Sequence, residues 1–268
     1  MMLPDYSPAS STQIDFVLAD NSLRNRIIAV TGATGGLGTS LCKVLAKAGA
    51  TVVLIGRNLK KLEKLYDVVQ QTGPAQPAMV TLAQDTADEV EYKGVAETLY
   101  AEFGRLDALV HCAVELGTLT PQPSISSDEW SRVTTVNLNG ARLLSLACLP
   151  LLKHSEHASI VFLLDNKPGA YWGSYGISKV SIHAFMHMLA DETDSKLDNT
   201  GAPILAVNGY DPGPIRTPLR RKAFPGELQQ ESPVPEARLG PLLALITREQ
   251  RKLTGIAVSF VEPDTAQM

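Results

Sequence analysis

A tyrosine and a lysine four residues apart are the side chains of this sequence best suited to move a proton. Tyr175 and Lys179 bracket the segment YGISK, and residues four apart on a helix lie on one face. Because an ammonium group stabilises a nearby phenolate, we expect Lys179 to lower the pKa of Tyr175 from its usual value of about 10. Such a phenol can exchange a proton with an alcohol or a carbonyl oxygen.

A glycine-rich turn follows the first apolar run of the chain. The segment GATGGLG, from Gly32 to Gly38, lies between the run 26–31 and an amphipathic helical pattern. Free N–H groups and the dipole of a helix N-terminus attract an anion there, and glycine lets the ligand approach the backbone. The turn predicts a pyrophosphate site. Its predicted contacts are Gly32, Thr34, Gly36, Leu37 and Gly38.

The end of the second predicted strand indicates which dinucleotide binds. Dinucleotide-binding folds place an acid there to hold the ribose hydroxyls, but this chain has Gly56-Arg57. A guanidinium suits a 2′-phosphate, so NADP(H) is favoured over NAD(H). The alternative is that Arg57 belongs to a solvated basic cluster with Lys60 and Lys61.

Two polar residues follow the third predicted strand at the same edge of the sheet. Asp85 either accepts from the adenine amino group or caps the next helix, and Thr86 stands beside it. Both are candidate contacts of the adenine half of a cofactor, and capping stays open as the alternative for Asp85.

Short apolar runs alternate with helical patterns along the whole chain. This alternation is typical of βαβ units, and continuous apolar runs are typical of strands covered by helices on both faces. We predict a single α/β domain with a doubly wound parallel sheet of about seven strands. The predicted strands are 26–31, 51–55, 78–82, 108–112, 159–164, 203–208 and 256–260.

Two segments depart from this rhythm. Residues 1–23 are polar and are predicted to form a loose arm before a single domain over 24–268. Residues 212–241 are rich in proline, glycine and arginine, so we expect an irregular stretch. An irregular stretch of this length is usually functional, so it is predicted to be a substrate lid. The alternative is an exposed surface excursion.

Composition excludes several classes of protein. The 268 residues are 44% hydrophobic with a formal net charge of −4, which does not fit disordered, fibrous or nucleic-acid-binding chains. No apolar run reaches the length of a membrane span, and the first residues lack a secretory pattern, so we expect a cytoplasmic protein without membrane contact. Cys42, Cys112 and Cys148 are predicted to be buried thiols. No metal site is expected, since His183 and His187 lack a third ligand.

The order of the motifs resembles the short-chain dehydrogenase/reductase family. The resemblance extends from TGATGGLG through YGISK to DPGPIRT at 211–217 and covers nearly all of residues 24–262. Within the family, the GRN, VNLN and RTPLRRKAFP segments are similar to the YciK-like bacterial oxidoreductases. The resemblance implies a Rossmann fold and transfer of a hydride between a nicotinamide and a carbonyl or secondary alcohol.

The resemblance also assigns roles to individual residues. It makes Tyr175 the general acid for carbonyl reduction, and it makes Lys179 its partner and a ligand of the nicotinamide ribose. Asn137 would hold a water in the proton relay, and Ala113 would lie near the adenosine. The nicotinamide would be bordered by Pro212, Gly213, Ile215 and Thr217.

The sequence departs from the family in two places. The family's Asn-Asn-Ala-Gly after the fourth strand reads HCAV from His111 to Val114. The catalytic serine after the fifth strand is missing, and counted from that strand its place falls on Asp165. A protonated Asp165 can donate a hydrogen bond as the serine would, whereas an ionised one repels negative charge. The amide of Asn166 is the other candidate donor.

Counting back from Tyr175 instead places the missing serine at Phe162 or Leu163. Ser174 is adjacent to Tyr175 but is expected to point elsewhere on the helix. Because losing one such donor costs a factor of about 10²–10³ in turnover, a catalytically silent nucleotide-binding homologue is the main alternative. An epimerase or dehydratase on the same fold is less favoured, because the chain lacks a substantial second domain.

The remaining expectations concern partners and the pocket wall. The substrate is predicted to be a small carbonyl or alcohol, and Trp172 and Tyr171 either line its pocket or pack in the core or an interface. The resemblance implies a homodimer or homotetramer. Its interface would use the apolar residues Leu143, Leu144, Leu146, Ile182, Phe185, Met186 and Leu189.

Overall fold

Seven parallel strands form one sheet in the order β3-β2-β1-β4-β5-β6-β7. The computed structural model describes residues 16–165, 167, 169–193, 197, 201–248 and 253–260. The predicted doubly wound parallel sheet is therefore confirmed. The strands are β1 Ile27–Thr31, β2 Thr51–Gly56, β3 Ala78–Thr81, β4 Ala108–His111, β5 Ala158–Leu163, β6 Leu205–Asp211 and β7 Ala257–Ser259.

Helices cover both faces of this sheet. The helices are α1 Gly36–Lys47, α2 Leu59–Thr72, α3 Glu89–Phe103, α4 Ser127–Thr134, α5 Gly140–Leu152, α6 Gly173–Thr193, α7 Pro218–Ala223 and α8 Gly240–Thr247, with a π-helical turn Thr135–Asn139 between α4 and α5. One core cluster joins the sheet to α3, α5 and α6, and the other joins it to α1, α2 and α8.

Alternate residues of each central strand enter opposite cores. In β1, Ala29 packs on the α3-α5-α6 side, whereas Ile28 and Val30 pack on the α1-α2-α8 side. All three are fully buried. Because successive side chains of a strand point to opposite faces, a strand covered on both faces must be apolar throughout.

Strand β6 runs further than the sequence predicted. The predicted strand stops at residue 208, before a glycine, but the observed strand continues to Asp211. Gly209 pairs with Phe162 of β5 and with Ala257 of β7, so pairing on both sides carries the strand through the glycine. A Cβ on Gly209 would overlap the side chain of Leu164, which gives the glycine a packing role.

The predicted lid contains a short helix that the sequence analysis did not foresee. Pro218 opens α7, and the Thr217 hydroxyl accepts from the Arg220 N–H at 3.1 Å. Proline at the first helical position and threonine at the N-cap are strong helix-start signals. Arg220 also forms two hydrogen bonds to Glu227, so the segment is held by its own contacts.

The described end of the predicted N-terminal arm is packed on the domain. Residues 1–15 of that arm lie outside the described residues. Leu23 is buried, and its N–H donates to the Ala48 carbonyl at 2.8 Å. The packed domain therefore begins before residue 24.

Most of the predicted interface residues lie in the protomer's own core. Leu143, Leu144, Ile182, Met186 and Leu189 are buried inside the chain, which corrects their assignment to a subunit surface. Their apolar spacing places them against the sheet. Among the described residues of these helices, the exposed large apolar side chains are Leu146, Ile177 and Met188.

The helical stretch Ser127–Leu152 is long and apolar enough to cross a membrane by length and composition. Within the protein, 61% of its most apolar window is buried. Leu144 and Leu152 of this stretch are completely enclosed by the core, as in a core helix.

Candidate functional site

The glycine turn lies at the carboxyl end of β1, against the end of β4. Gly32 adopts φ +61, and a Cβ there would come 2.6 Å from the Ala113 nitrogen. The Ala113 N–H donates to the Thr31 hydroxyl at 3.2 Å, which ties the ends of β1 and β4 together. A side chain at residue 32 would fill this close contact, so the position requires glycine.

The N-terminus of α1 is suited to bind an anion. No side chain caps it, its first turn carries no acidic residue, and Gly35 is the N-cap. A Cβ on Gly38 would overlap the Gly32 carbonyl oxygen. The cradle of small residues and open helix N–H groups fits the pyrophosphate of a dinucleotide.

The loop after β6 contacts the same turn. A Cβ on Gly36 would come 2.6 Å from the Thr217 methyl group, so Thr217 packs directly over the start of α1. Gly213 has φ +63, and its N–H donates to the Asp211 carboxylate at 2.8 Å. Ile215 packs on the core. The predicted nicotinamide segment and the predicted pyrophosphate turn are thus neighbours.

Arg57 extends from the end of β2 into solvent. Its side chain is 67% exposed, and its guanidinium lies 3.7 Å from a carboxylate oxygen of Glu115. Glu115 follows β4 and also pairs with Arg132 of α4. The candidate ligand for a 2′-phosphate is therefore paired with an acid in this structure, and the sequence analysis did not identify that acid.

Asp85 and Thr86, the two residues predicted to border the adenine, differ in their contacts. Asp85 is exposed and does not cap α3, because the Asp88 carboxylate accepts from Val90 N–H at 2.9 Å instead. The capping alternative for Asp85 is therefore wrong. Thr86 accepts from the Asp88 N–H and, through its carbonyl, from the Tyr92 hydroxyl. Asp85 as an adenine contact stays a prediction.

Tyr175 meets a carboxylate at the carboxyl edge of β5. Its hydroxyl donates to Asp165 Oδ2 at 2.7 Å, and the other carboxylate oxygen lies 3.0 Å from Lys167 Nζ. Tyr175 is buried on α6, whereas the Asp165 side chain is 26% exposed. The residue that stands in the serine's place is therefore in direct contact with the proposed acid.

The electrostatics of Tyr175 are opposite to the sequence expectation. Burial raises the pKa of Tyr175 well above its usual value, and Asp165 raises it further, both as a negative charge and as a hydrogen-bond acceptor. Burial lowers the pKa of Lys179, while Asp165 and Asp211 act in the opposite direction. The predicted lowering of the Tyr175 pKa by Lys179 is wrong, because desolvation and the carboxylate dominate.

Lys179 and Asn137 are held in place by neighbouring groups. Lys179 Nζ donates to the Leu163 carbonyl at 2.8 Å and lies 5.8 Å from the centre of the Tyr175 ring. Asn137, in the π-helical turn, donates to the Ser178 hydroxyl at 2.9 Å. Ser178 in turn donates to the Tyr175 carbonyl at 2.7 Å. A chain of hydrogen bonds thus links Asn137 to α6.

Asn137 also fixes the loop after β4. Its Oδ1 accepts from the Glu115 N–H at 2.7 Å, and its Nδ2 donates to the Glu115 carbonyl at 2.9 Å. The side chain therefore binds both backbone groups of Glu115, and its role as a water ligand stays a prediction. π-Helical turns of this kind are frequent at functional sites.

Among the described residues, no serine takes the place of the missing one. Phe162 lies in β5 with its ring stacked on His111, and Leu163 binds Lys179 through its carbonyl. Ser174 is buried, and its hydroxyl has no hydrogen-bond partner. Asn166 lies outside the described residues. Asp165 is the candidate that the geometry brings to Tyr175.

Aromatic rings connect α6 to the predicted lid. The ring of Trp172 lies 5.9 Å from that of Tyr175 and also 5.9 Å from that of Phe224, the residue after α7. Lys167 Nζ lies 5.6 Å from the Trp172 ring centre. Tyr171, with φ +71, is 63% exposed. Trp172 thus borders the site.

The remaining candidate residues are three histidines and three cysteines. Burial lowers the pKa of His111 to about 3, and its Nε2 lies 2.8 Å from the Ser145 hydroxyl, so it is a neutral core residue. The three cysteines are free and buried, which confirms their prediction. The Nε2 atoms of His183 and His187 lie 3.2 Å apart. Within the described residues, no three potential ligands gather around a metal position.

Sequence reasoning missed two members of the site. Lys167, on the far side of Asp165, had no distinguishing pattern. Glu115 had a usable signal, because it directly follows the altered HCAV segment at a strand end. In such sheets the strand order reverses at one point. Residues at the carboxyl ends of the two strands beside that point contact the bound ligand.

Known proteins are similar to this chain in both sequence and fold. The family model for short chain dehydrogenases matches residues 26–228. The oxidoreductase YciK of Escherichia coli K12 is 33% identical over 237 residues, covering 87% of this chain and 91% of YciK. A cyclopentanol dehydrogenase of Comamonas sp. (strain NCIMB 9872) is 30% identical over 252 residues, 91% of this chain and 92% of that enzyme.

A solved short chain dehydrogenase from Shigella flexneri 2a, complexed with NADP, superposes with a TM-score of 0.84 at 32% identity. The match covers 90% of this chain and 99% of that one. The resemblance in sequence and fold extends over most of the chain. The chain therefore belongs to the short chain dehydrogenase family of oxidoreductases.

Proposed function

We propose that the protein is an NADP(H)-dependent oxidoreductase that transfers a hydride between a nicotinamide and a small carbonyl or secondary alcohol. The observation that carries the proposal is the hydrogen bond from Tyr175 to Asp165, one helical turn from Lys179 and at the same sheet edge as the glycine turn. This edge is where doubly wound sheets bind their ligands. The NADP complex of the Shigella flexneri relative supports the choice of cofactor.

The cofactor would lie across the carboxyl edge of the sheet. When bound, its nicotinamide supplies or takes the hydride. The glycine turn would hold the pyrophosphate, Arg57 the 2′-phosphate, and Lys179 the nicotinamide ribose. The full set of proposed contacts is Gly32, Thr34, Gly36, Leu37, Gly38, Arg57, Asp85, Thr86, Ala113, Tyr175, Lys179, Pro212, Gly213, Ile215 and Thr217.

Asp165 gives the reaction a proton route that avoids a free phenolate. In alcohol oxidation, the substrate hydroxyl proton moves to Tyr175 Oη while the proton already on Tyr175 moves to Asp165 Oδ2 along the 2.7 Å hydrogen bond. The products of this relay are a neutral phenol and a carboxylic acid. In reduction the same protons return, so protonated Asp165 recharges Tyr175 as Tyr175 protonates the substrate oxygen.

The surroundings of the pair fit this relay. Burial and Asp165 both raise the pKa of Tyr175, which disfavours the phenolate that a mechanism without the carboxylate needs. Lys167 Nζ lies 3.0 Å from Asp165 Oδ1 and holds the carboxylate beside the phenol. Lys179 holds its ammonium near the phenol ring.

The raised pKa of Tyr175 also favours a second candidate, a nucleotide-binding protein that has lost turnover. The two functions differ in one property. Both predict cofactor binding, but only the oxidoreductase predicts that a carbonyl consumes NADPH in a reaction that depends on Tyr175.

A nicotinamide fluorescence trace separates the two. Purified protein is mixed with NADPH and then with ketones, aldehydes, dicarbonyls and quinones, including cyclopentanone. We expect enhanced emission that decays with at least one carbonyl. Tyr175→Phe should keep the enhancement and slow the decay by about 10²–10⁴-fold, the usual worth of a positioned acid. Unchanged decay in that variant would contradict the mechanism, and enhancement that never decays would favour the silent protein.

A further inference from the structure

Glu115 is a fixed negative charge in the predicted adenosine half of the site. Asn137 binds both its backbone N–H and its carbonyl, at 2.7 and 2.9 Å, so the residue cannot shift without breaking two hydrogen bonds. Its side chain is only 16% exposed. One carboxylate oxygen accepts from Arg132 at 2.5 Å, which fixes the side chain as well.

The other carboxylate oxygen faces Arg57. The distance from Arg57 to Glu115 is 3.7 Å, and the Arg57 side chain is 67% exposed. The two partners therefore differ in freedom: the acid is anchored on both backbone and side chain, whereas the guanidinium is largely solvated. A ligand that binds Arg57 must come within a few ångströms of this carboxylate.

Strand order explains why two distant residues meet. Strands β2 and β4 are the two neighbours of β1 in the sheet. Arg57 follows β2 and Glu115 follows β4, so their contact crosses above the glycine turn that ends β1. The pair spans the crevice in which the proposed cofactor lies.

We propose that Glu115 competes with the 2′-phosphate of NADP(H) for Arg57 and thereby sets the preference of the protein between NADPH and NADH. The inference rests on the proposed function and assigns a specificity-determining residue to its cofactor site. A carboxylate repels a phosphate but accepts from a ribose hydroxyl. Glu115 thus supplies, from the loop after β4, the acid that is missing at the end of β2.

The preference has opposite contributions from the two residues. Arg57 favours the 2′-phosphate of NADPH, and Glu115 disfavours it by charge repulsion and by occupying Arg57. In NADH, Glu115 accepts from the free 2′-hydroxyl instead. The wild-type protein should therefore discriminate between the two cofactors less strongly than Arg57 alone would allow.

Cofactor binding measured by nicotinamide fluorescence tests the inference without any substrate. NADPH and NADH are titrated into the wild-type protein and into Glu115→Gln, which keeps the shape and removes the charge. We expect NADPH to bind about fivefold more tightly to the variant, the worth of an exposed ion pair. NADH should bind with equal or lower affinity, so the NADPH to NADH preference rises.

Two controls make the result specific. Glu129→Gln removes a carboxylate from α4 that binds Thr118 rather than Arg57, and it should leave both affinities unchanged. In an Arg57→Ala background, Glu115→Gln should lose most of its effect on NADPH, because the competition needs the guanidinium.

Each outcome is decisive. Weaker NADPH binding in Glu115→Gln would mean that Glu115 orients Arg57 for the phosphate, and it would overturn the competition. An equal change for both cofactors, no change, or an unchanged effect without Arg57 would overturn it too. If no variant and no wild-type sample binds NADPH, the proposed function itself fails. NADPH binding that ignores Glu115 contradicts only this inference.

Discussion

Two aspartates at opposite edges of the same sheet are used in different ways. Asp107, just before β4, is buried and accepts from the Ile27 N–H at 2.7 Å and from the Ser155 hydroxyl at 2.5 Å. Two arginines lie 3.4 and 3.9 Å away. Asp165, just after β5, is partly exposed, and among the described residues it contacts Tyr175 and Lys167 of the candidate site by the hydrogen bond and ion pair described above.

We therefore assign Asp107 to the stability of the sheet and Asp165 to the proposed chemistry. At the amino edge, the Asp107 carboxylate is enclosed by backbone and side-chain donors, so it holds the start of β1 against the start of β4. At the carboxyl edge, the Asp165 carboxylate faces the Tyr175 phenol and solvent. The phenol proton therefore has an acceptor within hydrogen-bond distance. Parallel sheets with helices on both faces place ligands at the carboxyl ends of their strands, and the proposed site of this chain lies at that edge.

Replacing each aspartate with alanine tests the comparison most strongly. Asp107→Ala should lower the free energy of unfolding by about 3 kcal/mol, because it leaves buried donors without their acceptor. Asp165→Ala should cost less, about 1 kcal/mol, because it removes one hydrogen bond from Tyr175 and a partly exposed ion pair. Urea unfolding measures both. Equal losses from the two substitutions would break the distinction between the edges.

The pH dependence of the free energy of unfolding extends the comparison to His111, at the carboxyl end of β4. Its pKa is lowered from 6.5 to about 3 in the folded protein, so the unfolded chain binds its proton first as the pH falls. Stability from this residue is complete above the unfolded pKa and is lost as the pH falls towards the folded pKa. From about pH 7.5 to about pH 5 the loss should reach about 2 kcal/mol.

His111→Gln provides the control for this acid sensitivity. The variant should start from a different stability, but its loss on acidification should be about 2 kcal/mol smaller than that of the wild type. Urea unfolding at several pH values measures the difference in slope. Parallel curves for the two proteins would contradict a buried neutral histidine.

The smallest effect is expected at the cap of α7, in the predicted lid. Thr217→Val keeps the methyl group that contacts Gly36 and removes the hydroxyl that accepts from Arg220 N–H. Loss of an N-cap costs about 1 kcal/mol, so amide exchange in α7 should rise about fivefold. Exchange in β1 and β4 should not change. A general rise across the sheet would mean that the lid is part of the stable core.

The fold was predictable because its signals are local. Continuous apolar runs marked the strands, and the glycine segment marked the turn after β1. The buried face of α5 was misread, because an apolar spacing does not say whether Leu143 or Leu144 meets the sheet or another subunit. The helix α7 was missed although Thr217 and Pro218 carry its start signals.

Sequence reasoning found the residues that meet at Tyr175 only in part, and it did not find their electrostatics. The position of Asp165 followed from counting along β5. The raised pKa of Tyr175 depends on burial and on a carboxylate ten residues earlier in the chain, which a helical spacing does not contain. The contact between Arg57 and Glu115 needs the strand order as well as the sequence.

The ionisation of Tyr175 tests the central claim, that Asp165 receives its proton. The chain has seven tyrosines, so phenolate absorbance is followed during a pH titration and the signal of Tyr175→Phe is subtracted. In Asp165→Ser, which restores the family's hydroxyl, Tyr175 should ionise at a clearly lower pH than in the wild type, because a negative charge and a strong acceptor are gone. Asp191→Asn, at the far end of α6, should leave the titration unchanged. Ionisation of Tyr175 at the same or a higher pH in Asp165→Ser would contradict the account.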